Sequence, residues 1–199
     1  MKKYSMAVVL IAGLAFSYGI RPGFDIGIGW QHLSWKWDTE YYDGDYDLSA
    51  LGFHAGTTVP YSRYVGLYAE IFGVRFWSVG YDGYEQDMTE FNVGGRSDLY
   101  GQFGIGGQLG LIEMIPGRSV SPYFRQHFIL YNYSYSENGY SYSFTNLGLG
   151  IGVGAEFLSD SHVSPFLEGN FTHSSLELGE DINMTGFSFR GGVRLSWKK

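Results

Sequence analysis

Long runs of alternating residues dominate this sequence and limit what it can fold into. From Phe187 to Trp197, apolar residues or glycine occupy every second position, with serine, glycine and arginine between them. Successive side chains of a β-strand point to opposite faces, so each run has one apolar face and one small or polar face. The runs lie at 24–36, 47–58, 64–77, 97–111, 122–134, 143–157, 164–174 and 184–197. The pattern therefore predicts an all-β protein.

The length and number of these runs favour a membrane barrel. Each is about 10–15 residues long, whereas strands of soluble sheets average ~5–6 and a tilted transmembrane strand needs ~9–11. The connections alternate between long polar segments (37–46, 78–96, 135–142, 175–183) and mostly shorter ones (59–63, 112–121, 158–163). Outer-membrane barrels have long extracellular loops, short periplasmic turns and an even number of strands. We therefore predict an eight-stranded antiparallel up-and-down transmembrane β-barrel whose first strand rises from the periplasm.

Composition supports lipid on one face of the sheet. The chain of 199 residues contains 30 glycines and 17 tyrosines, and 17% of its residues are charged, against ~25% in soluble domains. The absence of cysteine excludes disulfides, cysteine zinc sites and cysteine nucleophiles. A soluble sandwich or lipocalin-like barrel is the alternative, but its core would consist mostly of glycine, serine and glutamine.

Residues 1–19 have the features of a secretory signal peptide. Lys2 and Lys3 precede an apolar segment, MAVVLIAGLAF, that is too short for the ~20 residues of a membrane helix. Small residues follow it, as at signal cleavage sites. We expect cleavage after Ser17 or Gly19, which leaves 20–199 as the outer-membrane β-barrel.

The last strand carries a family resemblance. Its alternating residues and final aromatic resemble the C-terminal assembly signal of the small eight-stranded outer-membrane proteins of the OmpA, OmpX and Ail type, although Lys198 and Lys199 follow the aromatic. The matching residues are Phe187, Phe189, Val193, Leu195 and Trp197. The resemblance covers the whole mature chain. It implies an integral outer-membrane protein, a monomer, that contacts the barrel assembly machinery, membrane lipid and lipopolysaccharide.

The polar faces of the runs place charges inside the barrel, where they must pair. A last hairpin centred near Gly179 would put Glu168 opposite Arg190 and Asn170 opposite Ser188. A third loop centred between Tyr140 and Ser141 would put Arg125 opposite Glu156. The predicted interior ion-pair network comprises Glu70, Arg125, Glu156, Glu168, Arg190 and Arg194. We expect a filled polar interior; a narrow ion-conducting pore is the alternative.

The long connections are acidic and rich in tyrosine, which suits contact with an extracellular ligand or host surface. Candidate contact residues are Asp38, Tyr41, Tyr42, Asp45, Tyr46, Tyr81, Tyr84 and Tyr140. The formal net charge of −7, or −9 without Lys2 and Lys3, excludes the basic stripe of a nucleic-acid-binding protein. Asp43, Asp45 and Asp47 resemble the start of a calcium loop, but its sixth position is Leu48 instead of glycine. We therefore expect at most loose binding of divalent cations there.

One pair of residues suggests an enzymatic alternative. His173 and Ser175 lie two apart, on the lipid-facing phase of a late strand. This is similar to lipid A deacylases, barrels in which a histidine activates a serine hydroxyl for attack on a lipid ester. The stretch that would supply their acid, 182–187, contains no carboxylate. The sequence therefore predicts a cofactor-free protein of envelope structure, adhesion or resistance, and not an enzyme.

Overall fold

Strands account for nearly all of the described chain. The computed structural model describes residues 19–39, 42–81, 84–87, 103–117, 119–137, 140–177 and 182–197. The strands are β1 (Gly23–Thr39), β2 (Tyr42–Pro60), β3 (Val65–Tyr81), β4 (Tyr84–Asp87), β5 (Phe103–Met114), β6 (Val120–Glu137), β7 (Tyr140–Phe157), β8 (Val163–Glu177) and β9 (Ile182–Ser196). None of these residues belongs to a helix of the length and apolarity that a membrane crossing requires.

Eight of the strands close into a barrel. Each pairs antiparallel with its neighbours in the order β1-β2-β3-β5-β6-β7-β8-β9, and β9 pairs with β1 to close the ring. The short β4 pairs only with the far end of β3 and lies outside the ring. Closure pairs the backbone groups of both edges, as a sheet surrounded by lipid requires. The predicted eight-stranded antiparallel up-and-down barrel is confirmed.

The alternation of the sequence separates the outer wall from the interior. Large apolar side chains stand exposed on the outside, with Ile28 at 66%, Ile71 at 64% and Val153 at 63% exposure. The alternating residues point inward and are buried, among them Arg125 and Arg194. In water such an outer wall would be costly, but toward hydrocarbon it is favourable. Of the residues predicted to form the assembly signal, Phe187, Phe189, Leu195 and Trp197 lie on this wall.

The strands extend further than the sequence pattern predicts. Segments 37–46 and 135–142, predicted as loops, are mostly strand, because the connections span only 40–41 and 138–139. The continued ladder pairs backbone groups that a loop would leave to water. The shifted hairpin centre also changes one register: Arg125 lies opposite Gly152, so its predicted pairing with Glu156 is wrong.

The last hairpin has the expected register. Glu168 lies opposite Arg190 and Asn170 opposite Ser188, as a centre near Gly179 predicts. The predicted signal segment lies outside the described residues except for Gly19, so its cleavage stays a prediction. Ile20 is 1% exposed, and its backbone N–H donates to the carbonyl of Arg63 at 3.1 Å. The chain is therefore attached to the barrel from Ile20 onward.

The interior is layered, which corrects the prediction of a polar interior. We call the end of the barrel at which both chain termini lie the terminal end. A buried apolar cluster lies there. This terminal cluster contains Ile20, Tyr68, Ile112, Met114 and Tyr123. Toward the opposite end, here the loop end, lies a loop-end cluster of Leu33, Leu48, Ala50, Phe72, Val74, Phe76, Ile129, Tyr131, Tyr133 and Met184. The charged residues lie between the two clusters.

Candidate functional site

The charged layer is built by six strands of the barrel. β1, β3, β6, β7 and β8 contribute one charged residue each, and β9 contributes two. The members are Asp25, Glu70, Arg125, Glu156, Glu168, Arg190 and Arg194. All are at most 7% exposed. The structure thus brings together all six residues of the predicted interior network and adds Asp25.

Arg125 is the centre of the layer. Its guanidinium lies 3.3 Å from Asp25 Oδ2, 3.4 Å from Glu70 Oε2 and 3.3 Å from Glu168 Oε2. The same group lies over the ring of Tyr68 at 4.4 Å, a cation–π arrangement. A fully buried guanidinium is tolerable because its planar fork donates to several acceptors at once. Arg125 therefore joins β6 to β1, β3 and β8 through the interior.

The two arginines of β9 complete the network. Arg190 donates to Glu168 Oε1 at 2.9 Å through Nε and forms an ion pair with Glu70. Arg194 donates to Asp25 Oδ1 at 3.0 Å and to Glu156 Oε2 at 2.8 Å. The layer thus contains three guanidinium groups and four carboxylates. This arrangement links six strands of the barrel to one another through the interior.

Asp25 is the member that the sequence analysis missed. It lies directly opposite Arg194 across the pairing of β1 with β9. A signal was available, because the first and last strands of a closed barrel must be neighbours and Asp25 shares the inward phase of Gly27 and Gly29. Comparing the polar faces of those two strands would have identified the pair.

Side chains fill the interior above the charged layer. The rings of Tyr131 and Tyr133 stack at 5.2 Å, and Gln31 donates to the hydroxyl of Tyr131 at 2.8 Å. A cavity of about 40 Å³ beside His54 and Glu70 separates this cluster from Arg190. An eight-stranded barrel is expected to be filled in this way.

Outward polar pairs mark where the apolar wall ends at the loop end. We call these pairs the polar rim: His32–Ser49 at 3.3 Å, Asn132–Thr145 at 2.9 Å and His173–Thr185 at 3.4 Å. His173 is exposed on the outside, as predicted from its phase. A bulge follows it, because Leu149 pairs with His173 whereas Leu147 pairs with Leu176.

The remaining sequence candidates that lie in described strands are beyond the polar rim. Asp38, Asp43, Asp45, Tyr42 and Tyr46 belong to the β1–β2 hairpin, and Tyr81, Tyr84 and Tyr140 also lie in strands. Their side chains, that of Ser175 and the whole of Tyr41 are outside the described part of the structure. Asp43, Asp45 and Asp47 form part of a strand, whereas a calcium loop wraps its ligands around the ion. Within the described residues, no three His, Asp or Glu side chains are placed to hold a metal ion.

Comparison with known proteins gives likeness of structure but not of sequence. No protein-family model matches the chain, and no curated protein matches it. Neisserial surface protein A is similar with a TM-score of 0.55 and 12% identity, over 87% of this chain and 97% of that one. Ail of Yersinia pestis gives 0.48 and 18%, over 88% and 100%. The N-terminal barrel of Pseudomonas aeruginosa OprF gives 0.43 and 12%, over 83% and 96%.

The first of these likenesses shows a shared fold. The apolar outer wall shows that this barrel is surrounded by lipid. A closed ladder, an apolar exterior and a buried charged layer are what a barrel in lipid requires. The chain is an integral outer-membrane β-barrel of the small eight-stranded type.

Proposed function

We propose that the protein acts at the cell surface by contacting basic groups on another surface through its loop end. One observation carries this proposal. The β1–β2 ladder continues for seven residue pairs beyond His32 and Ser49, as far as Thr39 and Tyr42. At a rise of ~3.3 Å per residue, seven residues extend about 23 Å along the strand past the polar rim. A paired hairpin is ordered before it binds, which reduces the entropic cost of contact.

The residues of this hairpin determine the kind of partner. Asp38, Asp43 and Asp45 lie within its projecting part, and tyrosines alternate with them at Tyr42 and Tyr46. Carboxylates attract cationic groups, and tyrosine adds rigid contact area with a polar tip. A basic protein or peptide on a host or neighbouring cell fits this combination best. Envelope structure is the second part of the proposed role, since the barrel contacts outer-membrane lipid around its whole wall.

A shortened hairpin tests the proposal. Replacing 37–44 by Asn-Gly joins Lys36 to Asp45, which already face each other, through a two-residue turn. Bacteria that express this variant are compared with wild type for adhesion to cultured epithelial monolayers, with soluble polylysine as competitor. We expect the variant to assemble, as shown by heat-dependent migration in gels, and to lose the polylysine-sensitive adhesion.

Acid-to-amide variants provide the matched control. Asp43→Asn with Asp45→Asn removes charge at the loop end, whereas Asp160→Asn removes it from an exposed turn at the terminal end. The first change is expected to weaken adhesion and its dependence on salt, and the second to alter neither. Unchanged adhesion by the shortened hairpin would refute the proposal.

A further inference from the structure

The outer wall has a groove that its own side chains leave open. The groove has a volume of about 700 Å³ and runs over β7, β8 and β9. Gly169 and Gly191 form its floor, and Val153, Leu167, Phe171, Phe187 and Phe189 line it. Its volume is within the range of ~300–1,000 Å³ that is typical of small-molecule sites. Its lining is almost entirely apolar, so the occupant must be apolar as well.

The glycines create this space, which is open above Gly169, whereas at Gly191 an added Cβ would lie 3.0 Å from Leu167 Cδ2. At Gly73, another outward glycine, the ring of Phe53 covers the position so closely that an added Cβ would lie 2.7 Å from it. At Gly169 the nearest atom to an added Cβ is Phe189 Cε1, at an ordinary contact distance of 3.4 Å. The rings of Phe187 and Phe189 pack edge to face at 4.7 Å beside the floor. The space is therefore a groove between fixed walls.

The position of the groove identifies its occupant. Phe171 lies opposite Phe187, and the next outward pair toward the loop end is His173 with Thr185, part of the polar rim. From Phe171 down to Leu167 the groove extends about 13 Å along β8, at ~3.3 Å per residue. It thus begins just below the polar boundary at the loop end and descends into the hydrocarbon. That geometry suits an extended acyl chain whose head group stays at the rim.

We propose that this groove binds one acyl chain of lipid A. The loop end faces outward in the orientation expected from the connections, and lipopolysaccharide forms the outer leaflet of an outer membrane. His173 and Thr185 present a polar pair at the height where the sugar and amide groups of that lipid would lie. The inference is independent of the proposed adhesive function, since it involves a different wall of the protein.

Filling the groove is the test. Gly169→Leu places a side chain on the floor of the groove. The matched control, Gly107→Leu, adds the same side chain at an outward glycine of β5. An added Cβ at Gly107 has only the Glu70 carbonyl oxygen within 4 Å, at 3.4 Å. The purified full-length proteins in detergent micelles are titrated with hexa-acylated lipid A and followed by native mass spectrometry. Loss of about two methylene contacts would weaken binding about tenfold in Gly169→Leu. The control is expected to bind as wild type does.

Two results would overturn the proposal. Equal affinity of Gly169→Leu and Gly107→Leu, both folded by gel migration, would show that the groove holds no chain. A second titration uses phosphatidylethanolamine with acyl chains of the same length. Weaker retention of this phospholipid than of lipid A supports the assignment, whereas equal retention would mean that the groove does not select lipid A.

Discussion

Arg194→Met is the most informative change in the charged layer, because it leaves a carboxylate alone. Among the described residues, Arg194 is the only ion-pair partner of Glu156. Asp25, its other partner, would still face Arg125. By contrast, Arg125 and Arg190 share Glu70 and Glu168, so either can be removed without leaving those carboxylates unpaired. The layer thus contains one pair without a substitute.

The magnitude follows from the geometry of that pair. Arg194 Nη1 lies 2.8 Å from Glu156 Oε2, and both side chains are nearly inaccessible. At an effective dielectric constant of ~20, the attraction between two unit charges at this distance is about 6 kcal/mol. Desolvation offsets part of it, and breaking a buried pair typically costs ~3–5 kcal/mol. We therefore expect Arg194→Met to lower the free energy of unfolding by about 3–5 kcal/mol.

A double-mutant cycle measures this pair directly. Glu156→Gln added to Arg194→Met replaces the orphaned charge by a neutral amide, and we expect it to recover about 3 kcal/mol, since couplings of close buried charges run from ~1.5 to 7 kcal/mol. Urea unfolding in phosphatidylcholine vesicles, followed by tryptophan fluorescence, gives the four free energies. Single-variant effects that add to within ~0.5 kcal/mol would refute the reasoning, because independent sites behave in that way.

Three further predictions concern the interior, the chain entry and the rim. Purified protein in planar bilayers is expected to conduct no steady current, because side chains fill the barrel; stable ohmic steps would contradict this. Ile20→Ala should lower the free energy of unfolding by about 2–5 kcal/mol, because Ile20 is 1% exposed and large-to-small changes in cores have this effect. An unaltered urea midpoint would argue against a packing role for Ile20. Lipid A from cells that express wild type or His173→Ala should have the same mass; an acyl chain lost only with wild type would identify an esterase.

The architecture was predictable because the alternation that marks a strand is visible within a short stretch of sequence. The two-residue period assigns each side chain to a face, and the terminal run Phe187–Trp197 shows it without interruption. Counting such runs gave the eight strands of the barrel. The direction inferred from the connection lengths, with the first strand rising from the periplasm, stays a prediction. The register of the last hairpin also followed, because the centre assumed near Gly179 was right, whereas the centre assumed for the third loop gave Arg125 the wrong partner.

What the period could not supply is which inward residues meet. Phe72 and Ile129 share the inward phase of Glu70 and His127, and only closure of the barrel gathers the apolar ones into a cluster above the charged layer. The length of the β1–β2 hairpin could not be predicted either. The Asp and Tyr residues of 42–46 have the composition of a polar loop, but their backbone pairs with β1. The bulge after His173 has no marker in the sequence.

The charged layer has a consequence for how the protein enters the membrane. Asp25 and Arg194 are 169 positions apart in the chain, yet they meet across the seam between β1 and β9. A sheet that inserted before this seam formed would turn unpaired carboxylates and guanidinium groups toward hydrocarbon, at a cost of several kcal/mol for each charge. Insertion and circularisation must therefore occur together. The ion-pair network is therefore completed late in assembly, when β1 pairs with β9.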